Sequence, residues 1–343
     1  MRAMRPYRLA VAITFLLLLL SAAVVIYWLW AKQALEVGIA EWRAEQVERG
    51  YDITYQGPTF EGFPFALSVS FREPKVVTPE GLTWLGPPVY GEAKLWDPFT
   101  IDLRFPGLHR LRKTEDDPEN LADISAEQAD GRVVLQSDGK VESARIVLGG
   151  LQVSGTATEN VTLQRLTARL GPLRKSDGES LDELDLAGEA LQVDLPPGRG
   201  GLLGDSLARI SFDSTLVGGI PKGKPAEALP VWRDNGGRVR FHHLTALWGP
   251  LNLLAEGRLE LDDAMRPAGL FETKMKGIGE IIDKLIETGK IKPEAAFAAK
   301  LAIAAMGRRD SATGESVLQA PVSLREGYLY LGPLPLLPVP PVL

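Results

Sequence analysis

The chain has 343 residues, of which 45% are hydrophobic and 24% are charged, and its formal net charge is −6. These proportions are typical of an ordered globular protein and exclude an intrinsically disordered one. There is no basic stripe and no basic tail beyond the first few residues, which argues against nucleic-acid binding. The chain has no cysteine, which excludes disulfides, thiolate metal sites and thiol catalysis.

The first element is an uncharged apolar run from Leu9 to Ala31. At about 1.5 Å per residue, a helix of this length spans about 34 Å, enough to cross a hydrocarbon core of about 30 Å. Aromatic residues at its C-terminal end are typical of a membrane–water interface. The run therefore predicts a transmembrane anchor. Its representative residues are Leu9, Phe15, Leu20, Tyr27, Trp28 and Trp30.

The charges that flank this run predict its orientation. Arg2, Arg5 and Arg8 precede it, whereas the residues that follow carry charges of both signs. The positive-inside rule makes residues 1–31 a cytoplasmic tip and membrane helix, with the rest of the chain outside the cytoplasm. A cleaved signal peptide is the alternative, because Ser21–Ala23 has the small residues that signal peptidase accepts.

Residues 32–50 are predicted to form a juxtamembrane helix. Leu35, Ile39 and Trp42 recur at helical spacing, and a glycine ends the segment. The pattern then changes to alternation of apolar and polar residues. From residue 51 to residue 343 we therefore expect one β-rich domain outside the cytoplasm.

Within that domain, short alternating segments separated by turn residues predict many strands. Strands of this length and spacing favour antiparallel sheets over a parallel α/β sheet. The predicted strands are Tyr51–Tyr55, Ala66–Phe71, Val89–Leu95, Thr100–Phe105, Gly131–Gln136, Val141–Leu148, Val153–Thr158, Val161–Leu170, Leu184–Asp194, Ile210–Val217, Arg238–Leu247, Leu251–Leu261, Ala268–Met275 and Ser316–Leu324.

Two late segments depart from the strand pattern. Apolar residues in Ile278–Ile286 follow a helical spacing, and Pro293–Met306 reads as a second helix, which predicts a helical hairpin at about 278–306. Residues 328–343 form a Pro-rich apolar tail, which is incompatible with a regular helix or a central strand. The predicted fold class is mainly β (a β-rich α+β chain), with an N-terminal transmembrane helix, then curved antiparallel sheets with a late helical hairpin.

The sequence offers no catalytic constellation. Ser137 and Lys140 have the spacing of a Ser-x-x-Lys pair, but they flank a turn and do not open a helix. His242 and His243 are neighbours in a strand pattern, so we expect their rings on opposite faces and no shared metal. The Gly-rich run Gly198–Asp205 misses the dinucleotide and P-loop spacings. We therefore expect no catalysis, no cofactor and no metal. A hydrolase with an unrecognised pair of carboxylates is the remote alternative.

Several segments are similar to one bacterial family. They are Gly50–Phe71, Gly236–Gly277 and Gly327–Leu343, with the motifs Gly62-Phe63-Pro64, Trp248–Leu251, Gly257–Asp262 and Leu331–Leu336. Together they resemble the domain-of-unknown-function family 2125, found largely in alphaproteobacteria. The resemblance implies a membrane-anchored, β-rich protein of the bacterial envelope. Together with the orientation predicted by the flanking charges, the expected location is the bacterial inner membrane, single-pass, with a cytoplasmic N-terminus and a periplasmic main domain. It implies no activity, so no catalytic residues are carried over.

At a more distant level, the layout is similar to that of AsmA-like envelope proteins, several of which are linked to lipid traffic. The first hypothesis is therefore a non-enzymatic envelope protein, with membrane lipid as its partner, that binds lipid or another apolar ligand in a sheet groove. The alternative is a scaffolding module that binds other envelope proteins through sheet edges or the C-terminal tail. The candidate groove or contact residues are Leu244, Leu247, Trp248, Leu251, Leu253, Leu336 and Leu337.

Overall fold

A computed structural model of the chain describes residues 6–113, 120–156, 159–175, 182–219, 221, 223, 225–289, 297, 300–301, 307–309 and 316–342. Its contacts divide the chain into two compact units. Unit 1 comprises Met1–Gly139 and Gly155–Ala157, and unit 2 comprises Lys140–Ser154 and Thr158–Leu343. The single domain expected from residue 51 to residue 343 therefore spans parts of both units.

Unit 1 begins with one continuous helix, α1, which spans Pro6–Glu48. Within the described residues, this is the single helix that is long and apolar enough to cross a membrane. Its apolar side chains are exposed, including Phe15, Leu20 and Trp30. The side chain of Leu9 lies outside the described part of the structure. An apolar helix with no protein cover is compatible with a membrane anchor, and a signal sequence passes the same test.

The rest of unit 1 is an antiparallel sheet. Its strands are β1 (Asp52–Glu61), β2 (Ala66–Val77), β3 (Thr83–Leu85), β4 (Val89–Lys94), β5 (Asp97–Arg104), β6 (Gly107–Arg112), β7 (Asn120–Ala126) and β8 (Gln128–Leu135). The long strand β2 pairs with β1 along one edge and with both β3 and β4 along the other. β4 continues through β5 to β8, and β3 continues through β6 to β7.

Unit 2 is an antiparallel meander. Its strands are β9 (Val141–Ser154), β10 (Val161–Lys175), β11 (Asp182–Asp194), β12 (Ser206–Val217), β13 (Arg238–Trp248), β14 (Leu251–Leu261), β15 (Pro267–Lys276), β16 (Gly307–Arg309), β17 (Ser316–Arg325), β18 (Tyr328–Leu331) and β19 (Leu334–Pro338). Each strand from β9 to β15 pairs with the next one along the chain. The ladder then continues from β15 to β17, β18 and β19.

The predicted mainly β, antiparallel fold is confirmed. The sequence predicts two strands here, Val141–Leu148 and Val153–Thr158, separated by Gly149 and Gly150. The structure instead has one continuous strand, β9, that passes through both glycines. Gly149 is paired with Arg165 of β10, so the ladder continues where composition alone indicates a turn. Glycine is permissive for turns but does not enforce one when a neighbouring strand supplies hydrogen-bond partners.

Two helices interrupt the meander of unit 2. α2 spans Pro225–Asp234 and precedes β13, and α3 spans Ile278–Glu287 and follows β15. α3 is the first arm of the expected helical hairpin. Of the second arm, residues 297, 300 and 301 are described and are helical, and its other residues lie outside the described part of the chain.

The Pro-rich tail forms the β18–β19 hairpin. Among the described strands, β19 pairs with β18 alone and is therefore an edge strand. Pro335 and Pro338 have no N–H to give to a further strand, which restricts proline to this kind of position. The tail is thus extended, as its composition requires, and β19 forms one edge of the sheet.

Gly257 occupies a position in β14 where a side chain does not fit. It is paired with Phe241 on one side and with Phe271 on the other, and the centroids of these two rings lie 5.7 Å apart. A Cβ atom at Gly257 would overlap the carbonyl oxygen of Leu270 and would lie 2.8 Å from Cδ1 of Phe271. The missing side chain therefore allows the two rings to meet across the strand.

We expect Gly257→Ala to lower the free energy of unfolding by about 1–3 kcal/mol, because an added methyl group overpacks this site. Gly279→Ala is the matched control, since Gly279 lies in α3 and nothing stands within 4 Å of its added Cβ. Alanine is favoured in a helix, so this change should raise stability by up to about 1 kcal/mol. Chemical denaturation followed by circular dichroism measures both. Equal effects of the two changes would contradict the packing argument.

Candidate functional site

Unit 2 carries a continuous apolar surface on one side of its sheet. Residues directly opposite each other in neighbouring strands share a face, so rows of paired residues trace that surface. The first row, from β9 to β17, is Leu148, Leu166, Ala190, Ile210, Ala246, Leu253, Met275 and Leu318. Every residue in it is apolar.

A second apolar row runs from β10 to the C-terminal hairpin. Its members are Leu173, Leu184, Leu216, Val239, Leu259, Gly269, Leu324, Leu329 and Leu337. The two rows cross β15 at Met275 and Gly269, an even number of residues apart, and therefore lie on the same side of the sheet. We call this surface the apolar face. It consists of the two rows and of the residues that lie between them on the same side of the sheet.

The opposite side of the sheet is mostly polar. The row that adjoins the first apolar row consists of Thr167, Glu189, Ser211, Thr245, Leu254, Lys274 and Gln319. Arg209 forms an ion pair of 2.7 Å with Glu189 on this side. Strands with one apolar and one polar side are typical of a sheet that has water on one side and an apolar environment on the other.

The apolar face is buried at β15 and β17 and exposed at β12, in the middle of the first row. Met275, Leu318 and Ala320 are buried, and Ile278, the first residue of α3, packs against them. Towards β12 the same face is open to solvent, with Ile210 40% exposed and Phe212 38% exposed. The described side chains therefore leave part of this apolar surface without a protein cover.

Phenylalanines lie along the centre of the apolar face. The ring centroids of Phe212 and Phe241 are 6.4 Å apart in a T-shaped arrangement, and Phe241 meets Phe271 across Gly257. Sequence reasoning missed these residues, although Ile210 and Phe212 have the spacing of neighbours on one side of a strand. Their connection to Phe241 and Phe271 depends on strand register, which no local pattern encodes.

The structure brings most of the predicted groove residues together. Leu244, Trp248, Leu251 and Leu253 all belong to the apolar face. Leu247 lies on the polar side instead, because it is paired with Asn252 and Arg209. Leu337 is a member of the second apolar row and is 50% exposed. The side chain of Leu336 lies outside the described part of the structure.

The two adjacent histidines form a β-bulge. Phe241 is paired with Gly257 and Leu244 with Ala255, so His242 and His243 together face Glu256. The Thr215 hydroxyl donates to the Asp185 carboxylate at 3.0 Å, so its oxygen accepts from the His242 Nε2–H at 2.9 Å. Both rings are exposed and lie on the polar side. The expectation of opposite faces is therefore wrong, because the bulge breaks the alternation of the strand.

A concavity of about 500 Å³ on the polar side is lined by these histidines and by Glu256, Glu272 and Lys274. Glu256 and Glu272 are directly paired across β14 and β15, and both are exposed. Across the described ranges, no group of three His, Asp or Glu side chains is arranged to hold a metal ion. Leu254 and Pro321 also line it, so the concavity combines exposed charges with apolar side chains on an open sheet surface.

In the Gly-rich run Gly198–Asp205, the carboxylate of Asp205 occupies two of the backbone N–H groups. The Asp205 side chain accepts from the N–H groups of Gly198 and Gly200, each at 2.8 Å. These two hydrogen bonds lower the pKa of Asp205, because they stabilise the charged form. An external anion would have to displace Asp205 to reach the same donors.

We expect Leu318→Ala to lower the free energy of unfolding by about 2–5 kcal/mol, because Leu318 is 1% exposed and its loss leaves a cavity. Ile210→Ala changes the same row at an exposed position and should cost about 1 kcal/mol or less. Chemical denaturation of the delipidated chain measures both. Similar losses at the two positions would show that the row is packed along its whole length.

Comparison with known proteins agrees with the resemblance in the sequence. The family model described as an uncharacterized protein conserved in bacteria (DUF2125) matches residues 28–340. No curated protein and no solved structure matches the chain. The match begins in the last turn of the apolar run and extends through both units to the C-terminal hairpin. The chain belongs to the DUF2125 family.

Proposed function

We propose that this protein is anchored in a membrane by α1 and binds a lipid acyl chain, or another apolar ligand, on the apolar face of unit 2. The observation that carries the proposal is the apolar row from β9 to β17, which is exposed at Ile210. Exposed apolar surface is unfavourable in water, by about 25 cal/mol for each Å². Contiguous surfaces of this kind mark binding sites.

The dimensions of the apolar face suit a hydrocarbon chain. Neighbouring strands lie about 4.8 Å apart, so the row from β9 to β17 is roughly 34 Å long. A bilayer core of about 30 Å holds two acyl chains end to end, so one chain is shorter than the row. Each buried methylene adds about 0.8 kcal/mol, which makes an acyl chain a strong ligand for an open apolar face. The proposed role is binding without catalysis.

The proposed location is the bacterial inner membrane, with the N-terminus in the cytoplasm and the remainder of the chain in the periplasm. Arg2, Arg5 and Arg8 precede the apolar run, and this arrangement supports the orientation through the positive-inside rule. α1 continues past the apolar run to Glu48, so the proposed anchor and the first part of unit 1 are a single helix.

The lipid proposal predicts that Ile210→Glu lowers the phospholipid retained by the full chain, because a charge on the apolar face repels a hydrocarbon chain. Leu254→Glu is the matched control: Leu254 is also apolar and is 47% exposed, but it lies on the polar side. We expect about a tenfold loss of affinity for Ile210→Glu, equivalent to about 1.4 kcal/mol, and almost none for Leu254→Glu. Quantitative lipid extraction and native mass spectrometry of the detergent-purified chain measure it.

The control also accounts for lipid that adheres to α1, since that lipid is the same in both variants. Equal retention by Ile210→Glu, Leu254→Glu and the unchanged chain would contradict the proposal. If Ile210→Glu instead abolishes crosslinks to other envelope proteins and leaves lipid unchanged, the apolar face is a scaffolding surface.

The orientation is testable because the chain has no native cysteine. In spheroplasts, a membrane-impermeant maleimide should label Glu80→Cys before lysis and Ala3→Cys only after it. The reverse pattern would contradict a periplasmic main domain. Release of the labelled Glu80→Cys chain into the soluble fraction would instead indicate signal-peptide cleavage.

A further inference from the structure

An exposed aromatic tip lies beside α1 in unit 1. It consists of Phe63 and Phe65 in the β1–β2 connection and Trp96 in the β4–β5 connection. Their side chains are 53%, 69% and 68% exposed. The backbone N–H of Leu95 donates to the carbonyl oxygen of Phe65 at 3.1 Å, so the two connections lie side by side. Three large aromatic side chains, each more than half exposed, are thus grouped on one small surface.

The aromatic tip is joined directly to α1. The indole N–H of Trp28 donates to the carbonyl oxygen of Ala66 at 2.9 Å. The Trp28 and Phe63 rings meet edge to face, with centroids 5.7 Å apart and an interplanar angle of 86°. These contacts hold the tip at the level of Trp28 along the helix.

Trp28 marks the membrane interface in the proposed topology. It lies three residues before Ala31, the end of the apolar run, which corresponds to about 4.5 Å along the helix. Tyr27 and Trp30 flank it, and clustered aromatic residues at the end of a span are typical of the interfacial belt. A loop held at this level lies within the interfacial layer of the same bilayer.

We propose that the aromatic tip inserts into the membrane interface next to α1 and gives unit 1 a second contact with the bilayer. The partner is a lipid surface. The inference rests on the proposed anchoring by α1. It is independent of ligand binding on the apolar face.

Charges around the tip favour lipid over a protein partner. The Lys94 Nζ lies 5.9 Å from the centroid of the Trp96 ring, and the Lys32 Nζ lies 5.3 Å from that of Phe60. A lysine whose stem follows an aromatic ring and whose ammonium reaches water suits the headgroup layer. Protein interface cores are depleted in lysine, so the same arrangement is less suited to a protein partner.

The second contact has a mechanical consequence. A single helix fixes the depth of a membrane protein but leaves it free to rotate about the helix axis. Insertion of Phe65 and Trp96 on one side of α1 would remove that freedom. Unit 1 would then present a fixed side to the bilayer.

Spin labels on single cysteines test the tip, since there is no native cysteine to remove. Phe65→Cys and Trp96→Cys report the tip, and Phe15→Cys reports the apolar run. Glu80→Cys is the aqueous control, because Glu80 is exposed beyond the far end of β2. The full chain is reconstituted in vesicles of phosphatidylethanolamine and phosphatidylglycerol. Electron paramagnetic resonance then gives the accessibility of each label to oxygen, which partitions into lipid, and to a water-soluble nickel complex.

We expect labels at Phe65 and Trp96 to have an oxygen-to-nickel accessibility ratio several-fold higher than the label at Glu80. The ratio at Phe15 should be higher still. A ratio equal to that of Glu80 at both tip positions, with Phe15 in lipid, overturns the insertion of the tip and leaves the anchor intact. Labels at the tip that neither reagent reaches also overturn it, because they indicate a protein contact. An aqueous label at Phe15 would instead overturn the proposed anchor.

Discussion

The hydrogen-bonded register between β9 and β17 determines the side of the sheet on which each side chain lies. Successive residues of a strand alternate between the two sides, so the apolar residues of one strand gather with those of the next only in one register. A slip of one residue at any pair would move the apolar residues of a whole strand to the polar side. The apolar row from Leu148 to Leu318 therefore depends on the entire ladder and on no single contact.

Local departures from regular pairing preserve this arrangement. Phe241 and Leu244 are an odd number of residues apart and would lie on opposite sides of a regular strand. The bulge at His242 and His243 adds one residue to β13, so both reach the apolar face. Gly257 acts in a different way, because its missing side chain leaves room for the phenylalanine rings on either side. The bulge and the glycine are thus structural requirements of the apolar face.

The two units expose apolar side chains in different ways. Several polar groups differ from these exposed side chains because they have partners within the protein. In unit 2 the apolar surface is broad and formed by paired strands, whereas in unit 1 it is a compact tip formed by two connections. Polar groups such as Asp205 are paired within their own loops. Exposed apolar surface and internally paired polar groups are the physical requirements for binding apolar partners. Both proposals, lipid on the apolar face and a bilayer at the tip, follow from that contrast.

The sequence by itself determined the apolar helix, the antiparallel strand-rich fold and the extended Pro-rich tail. Each of these follows from a local pattern: an uncharged run, a period of two, or prolines without N–H groups. Tertiary structure decided that Gly149 continues a strand, that Leu247 lies on the polar side and that Phe212, Phe241 and Phe271 form one aromatic line. These features depend on pairing between residues distant in the chain. The side that a residue occupies is therefore encoded in its partner strands as much as in its own.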